Sequence, residues 1–438
     1  MAALAATGAF AQSTVTIYGR ANVDVSNYAA TGATAGAAAD LVGRTRVADS
    51  GSRFGFRVNE DLGGGLRAFV VCETGINIDN GGANGQGVGP TSAGALNASA
   101  NTFCSREGHV GVGNATAELR LGRQNVWWSH GELNQTGANF TSFDAIGGMY
   151  APSSGMSSAT ITRESNVILL HAGSALGAFA GSQLYYSVNA QEAATTGTST
   201  DTAAVTARPA VTATDTVVGR SAIAAVPATA TGAPNKGSIM GFKLNYSAGP
   251  LVAMLDYAAG KNSANNSANS ADFDSNSTKV GVGYKYAPGS IASFTWFKHE
   301  RTYNLAASNT AAPTILNLSA AGITTGTSGT AAGGREQSGW AINLQHALNS
   351  QIALYAQYGI FGDAKNSAGT TVADTGAKGV MLGARYNLSK RTAVYGAFAK
   401  LTNERANAVN FSGGAYASGN SALGADPKVM GVGVMHNF

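Results

Sequence analysis

The chain has 438 residues, and only 12% of them are charged, about half the share of an ordinary soluble domain. Glycine is abundant at 58 residues while proline is scarce at 9, which argues against a disordered Pro/Gly-rich chain. The net charge of +4 is spread without a basic run, so nucleic acid is not an expected partner, and no apolar stretch is long enough for a membrane-spanning helix.

The opening residues, "MAALAATGAFAQS", run through an apolar Ala/Leu stretch to Ala9-Phe10-Ala11, the small-x-small pattern of a cleavage site. Residues 1–11 therefore read as the rear of a secretory signal peptide, and 12–438 as the exported chain. From there a period-two alternation of apolar with small or polar residues recurs almost to the end. It predicts strands at 14–27, 50–60, 65–78, 104–114, 116–127, 162–172, 178–189, 237–247, 251–260, 278–287, 291–303, 336–346, 351–361, 377–388, 392–403 and 428–438. In "IMGFKLNY", Met240, Phe242, Leu244 and Tyr246 share one face and Gly241, Lys243 and Asn245 the other; in "GVMLGARYNL", Arg385 and Asn387 oppose Leu382, Ala384 and Tyr386.

The connections alternate in length. Short turns such as 59–66, 246–251, 286–291, 346–351 and 387–392 carry the Gly, Pro, Asn and Asp that hairpin turns need. Between the hairpins lie polar tracts rich in Ala, Thr, Ser, Gly and Asn, at 79–102, 190–235, 261–275, 305–334 and 405–425. A stack of soluble sandwiches would need polar outer faces. An antiparallel transmembrane β-barrel of about sixteen strands needs apolar outer faces, short turns at one rim and long loops at the other. Tyr18, Trp127, Trp128, Tyr185, Tyr186, Tyr284, Tyr286, Trp296 and Tyr355 lie near segment ends, where interfacial girdles are expected. A barrel of that size leaves a water-filled lumen.

One connection, 128–161, mixes Phe140, Phe143, Ile146, Met149 and Tyr150 with polar residues. Such anchors fit either a loop packed on a wall or a loop tip folded on itself. Cys72 and Cys104 flank one loop on successive strands, so a bridge and two buried free thiols both stay open. Enzymatic readings find little: the six histidines include no close pair, and neither "GVGNAT" nor "DSGSRFG" has the strand–turn–helix setting its chemistry requires. No catalytic residue, metal or cofactor is expected.

"TVTIYGRANVDV", "SRFGFRVNEDLGGGLRAFVVCETG", "ELRLGRQ", "LSKRTAVYGAFA" and the terminal "GVGVMHNF" resemble the general trimeric porins of Gram-negative outer membranes, closest to the betaproteobacterial type, from residue 13 to the end. The resemblance implies a sixteen-stranded barrel, a homotrimer set in outer-membrane lipid and lipopolysaccharide, and a third loop folded into the pore at about 128–161. Small hydrophilic solutes and ions would diffuse through it. It also implies a basic ladder, mapped onto Arg20, Arg53, Arg106 and Arg163, facing acids on the loop, with Asp144 first and Glu132 second. Parity supports Arg20 and Arg53 as lumen residues, whereas Arg106 shares the parity of Val110 and Val112 and needs a bulge, or an inner wall packed against the loop, to join the ladder. Four arginines against one or two acids lead to weak anion preference, unless Asp24, Glu73 or Glu118 pair with them across strands. Phe438 would close the barrel against "STVTIYGRANV" and serve as the signal read by the outer-membrane assembly machinery. The competing reading is a substrate-specific channel, or an adhesin or receptor that uses the long extracellular loops.

Overall fold

The computed structural model describes residues 13–79, 103–126, 133–134, 139–147, 163–188, 238–262, 272–304, 334–366, 369–411 and 422–438. The leader segment 1–11, Glu132, Trp127 and Trp128 lie outside the described residues. The strands are β1 (Thr14–Thr31), β2 (Leu41–Asp49), β3 (Arg53–Gly63), β4 (Leu66–Gly75), β5 (Glu107–Gly113), β6 (Ala117–Asn125), β7 (Arg163–Ala172), β8 (Gln183–Val188), β9 (Ser238–Ala248) and β10 (Leu251–Asn262). They continue with β11 (Asp272–Ala287), β12 (Ser290–Asn304), β13 (Gly334–Ala347), β14 (Ile352–Phe361), β15 (Ala364–Asn366), β16 (Thr371–Val372), β17 (Ala377–Asn387), β18 (Thr392–Asn403) and β19 (Asp426–Asn437).

These segments make sixteen antiparallel staves of one closed barrel. β2 and β3 both pair with β1, at its Val23–Ala30 and Thr14–Arg20 ends, so together they form one broken stave. β15 and β16 form a small hairpin at the long-loop rim, while the barrel passes directly from β14 to β17. The break between β2 and β3 has a local cause. The Asp49 carboxylate accepts hydrogen bonds from the Gly51 and Ser52 amides at 2.9 and 3.2 Å, and Gly51 sits at φ 83°. Asn22 of β1 repairs the interruption: its amide nitrogen donates to Ser52 Oγ and its side chain to the Ser50 carbonyl, each at 2.9 Å.

Alternation places Met240, Phe242 and Leu244 outward and exposed, and Ile239 and Lys243 inward and buried. Three tyrosines expected in the girdle do not belong to it. Tyr185 and Tyr355 have inward parity and are buried, and Tyr18 lies over Gly55 beside the Arg57 guanidinium, 5.7 Å from its ring centroid. Tyr186, Tyr284 and Tyr286 are exposed, and Phe294 stacks with Trp340 on the outer face at 6.3 Å. The alternation did not reveal β2, because "LVGRTRVAD" has no continuous apolar face. β11 starts at Asp272 instead of 278 for the same reason: its first turn of sequence, "DFDSNS", is polar. β8 is shorter than expected, since Ser174–Phe179 form a 3-10 segment with Gly177 at φ 56°.

The register is staggered around the wall. Cross-strand partners Arg67, Gly113, Glu118, His171, Gln183, Lys243, Asp256 and Lys279 form one row from β4 to β11. It starts at the short-turn rim and ends well above it, as strand tilt in a closed barrel requires. Cys72 and Cys104 are joined by a disulfide with a Cα–Cα distance of 4.7 Å, on the face of β4 shared with exposed Val70.

Closure is made by β1 and β19, paired from Arg20 with Asn437 to Thr31 with Asp426. The Gly19 amide donates to the Phe438 carbonyl at 3.0 Å, and the Phe438 amide to the Gly19 carbonyl at 3.1 Å. The Phe438 ring covers Gly19 so closely that a Cβ there would lie 2.4 Å from it. Gly19→Leu is therefore expected to force the ring off the seam, at about 1–3 kcal/mol for overpacking. On unheated gels the variant should lose its folded band at a lower temperature than the parent chain, with the single-channel conductance of surviving barrels unchanged.

Candidate functional site: the pore constriction

The segment between β6 and β7 enters the lumen, and its described residues lie against the wall. Leu133 sits over Gly281 and Gly283, where added Cβ atoms would come within 2.6 and 2.9 Å of it, and Ser293 Oγ donates to its carbonyl at 2.6 Å. Phe140 inserts edge-on between Tyr355 and Tyr395, at centroid distances of 4.8 and 5.3 Å. Ile146 is fully buried above Gly359. Ser142 Oγ donates to Ser50 Oγ at 2.9 Å, which docks the loop on the break between β2 and β3. The apolar anchors thus fill hollows that wall glycines leave, and the main hydrophobic cluster lies between loop and wall.

Asp144 belongs to this loop, but its carboxylate is turned into the wall. It is 2% exposed, and its Oδ1 accepts from the Gly147 amide at 3.0 Å and from Gln357 Nε2 at 3.1 Å. Burial pushes its carboxyl up from the ordinary value, against the pull of these hydrogen bonds.

Four basic residues line the opposite arc, and a fifth, Arg385, stands beside the loop. Arg20 and Arg53 are direct cross-strand partners, and Arg20 Nε donates to Asn437 Oδ1 at 3.0 Å across the closing seam. Arg53 Nε lies 3.7 Å from Glu73, and Arg106 Nε donates to the same carboxylate at 2.6 Å. Arg106 needs no bulge. It precedes β5, in a turn with Cys104 at φ 59°, so the strand's parity does not govern it. Arg163 opens β7 opposite Asn125, whose side chain bonds Glu107, and it feels the charges of Arg106, Glu73 and Glu107. Arg385 on β17 bonds the loop residue Asn139, and its charge reaches Arg20. The alternation of "GVMLGARYNL" had already placed it inward, although no motif singled it out. Five arginines therefore share one field with Glu73 and Glu107, and the acids sit on the wall beside them.

Two expectations test the seating of the loop. Ile146→Ala empties the hollow over Gly359, at about 2–5 kcal/mol for a buried isoleucine, and should broaden the distribution of single-channel conductances. The second concerns pH. Because the Asp144 carboxyl is raised, the seated loop holds a proton that the unseated loop releases, so seating weakens as pH rises from about 4 through the raised value. Protease cleavage within the loop should accordingly increase with pH, and Asp144→Asn should flatten that dependence.

No curated protein matches the chain in sequence. Among solved structures, the anion-selective porin from Comamonas acidovorans superposes with a TM-score of 0.62 at 20% identity, over 98% of this chain and 100% of that one. In-vitro folded OmpT of Vibrio cholerae, an outer membrane protein in trimer form, gives a TM-score of 0.57 at 12% identity, over 97% and 99%. These likenesses show the fold. Residues 1–406 match the model of the Gram-negative porin family, and with the closed barrel and its inserted loop they place this chain in that family and in the outer membrane.

Proposed function

We propose that the chain forms a homotrimeric, weakly anion-selective diffusion pore for ions and small hydrophilic solutes. The observation that carries the selectivity is the set of Arg20, Arg53, Arg106, Arg163 and Arg385 at the level of the inserted loop, with Glu73 and Glu107 as the acids beside it among the described residues. A narrow lumen lined by one sign of charge favours the opposite ion, because low-dielectric walls focus the field. The anion selectivity of the Comamonas acidovorans porin and the trimer form of OmpT support the same reading. The family and fold are those of a channel, so we assign no catalysis. Outer-membrane lipid and lipopolysaccharide are its surroundings, and Phe438 at the seam is the feature offered to the assembly machinery.

Reversal potentials in a KCl gradient across a planar bilayer test the selectivity. The expected sign is that of chloride preference, and replacing Arg53 and Arg106 together by alanine should move it toward potassium. A parent chain that prefers potassium overturns the assignment.

A further inference from the structure

A second cluster of charge lies on the inner wall toward the short-turn rim, the periplasmic one in barrels of this kind. Arg67 is the second residue of β4, Glu118 the second of β6, and His171 the last but one of β7. All three have inward parity, opposite exposed Leu66, Leu119 and Leu170. The Glu118 carboxylate is shared. One oxygen bonds Arg67 Nη2, and the other accepts from Arg120 Nε at 2.9 Å and Nη2 at 2.5 Å, with His171 Nδ1 at 3.8 Å. Phe69 fixes the two guanidinium groups from beneath, with Arg67 and Arg120 at 5.2 and 5.9 Å from its centroid.

The cluster is built and open at once. The Glu118 side chain is 6% exposed, whereas those of Arg67 and Arg120 are 46% and 22% exposed to the lumen. Each guanidinium has five N–H donors, and these bonds to Glu118 use one on Arg67 and two on Arg120, leaving two pre-oriented planar forks around the Glu118 carboxylate, while Asp61, the cross-strand partner of Arg67, accepts from the Gly63 amide. The cluster is set toward the rim from the constriction, although the charge of Arg120 reaches Glu107. Arg67 is six residues along β4 from Glu73, roughly 20 Å of strand. That exceeds a Debye length of about 8 Å at physiological salt.

We propose that Arg67 and Arg120, held by Glu118 and Phe69, form a second anion station on the periplasmic side of the constriction, binding doubly charged oxyanions of the phosphate class. The proposal rests on the reading of the lumen as a water-filled pore, not on its selectivity. Its chemistry is bidentate: two oxygens of one anion meet N–H groups of both guanidiniums, which chloride cannot match.

The probe is inorganic phosphate, added to one side of oriented channels in a planar bilayer at low KCl, with chloride current as the readout. Phosphate from the periplasmic side is expected to reduce the current at a severalfold lower concentration than phosphate from the other side. Replacing Arg67 and Arg120 by alanine should raise the effective concentration by about tenfold, in line with losing charge-assisted hydrogen bonds. The sign of the KCl reversal potential should be retained. Arg67→Lys with Arg120→Lys keeps the charge but not the fork and should still weaken the block, so the test survives if the alanine variant fails to insert. Glu118→Gln frees donors and should lower the effective concentration. A block equal from both sides, or one removed by Arg53→Ala with Arg106→Ala and untouched at Arg67 and Arg120, overturns the station. A potassium-selective reversal potential with the sided block intact would instead overturn the anion preference and leave the station standing.

Discussion

Every other feature depends on the pairing of the first and last strands. In hydrocarbon an unpaired N–H or C=O costs several kcal/mol, and an open sheet has two edges full of them. β1 and β19 remove those edges through a continuous register, finished by reciprocal bonds between Gly19 and Phe438. Once the sheet is closed, side chains on one parity face lipid and those on the other face a space they cannot fill. Hydropathy then sorts itself by alternation alone.

The lumen is divided by function. One arc of the wall, β10 to β18, is cleared by small residues such as Gly281, Gly283 and Gly359 and receives the loop through Leu133, Phe140 and Ile146. The other arc, near β1 to β7, carries Arg20, Arg53, Arg106 and Arg163, half-buried and tempered by Glu73 and Glu107, while Arg385 stands on β17 beside the loop. The loop spans between them, because Ser142 reaches back to Ser50 at the break in the second stave. That break is thus a docking point, and the side chains of Asp49, Asn22 and Ser52 compensate for the ladder bonds it gives up.

Much of this was legible in the sequence because a bilayer enforces a strict period of two. Strand positions, short turns and the inward parity of Arg20 and Arg53 follow from that rule and local turn chemistry. Where the chain rises above the lipid the contrast between faces fades, which hid β2 and the start of β11. Parity also fails just outside a strand, as Arg106 shows. The apolar anchors of the loop stood out among polar neighbours, but their seats are glycines on distant strands. The orientation of Asp144 depends on Gln357, 213 residues away. The sharing of Glu118 by Arg67 and Arg120 depends on a register that no local pattern encodes.

The staggered row from Arg67 to Lys279 has a stereochemical consequence. Because cross-strand partners climb as they circle, the wall charges are arranged as a screw and not as stacked rings. A screw has a hand. The mirror images of a charged, asymmetric solute therefore meet inequivalent surroundings along the wall.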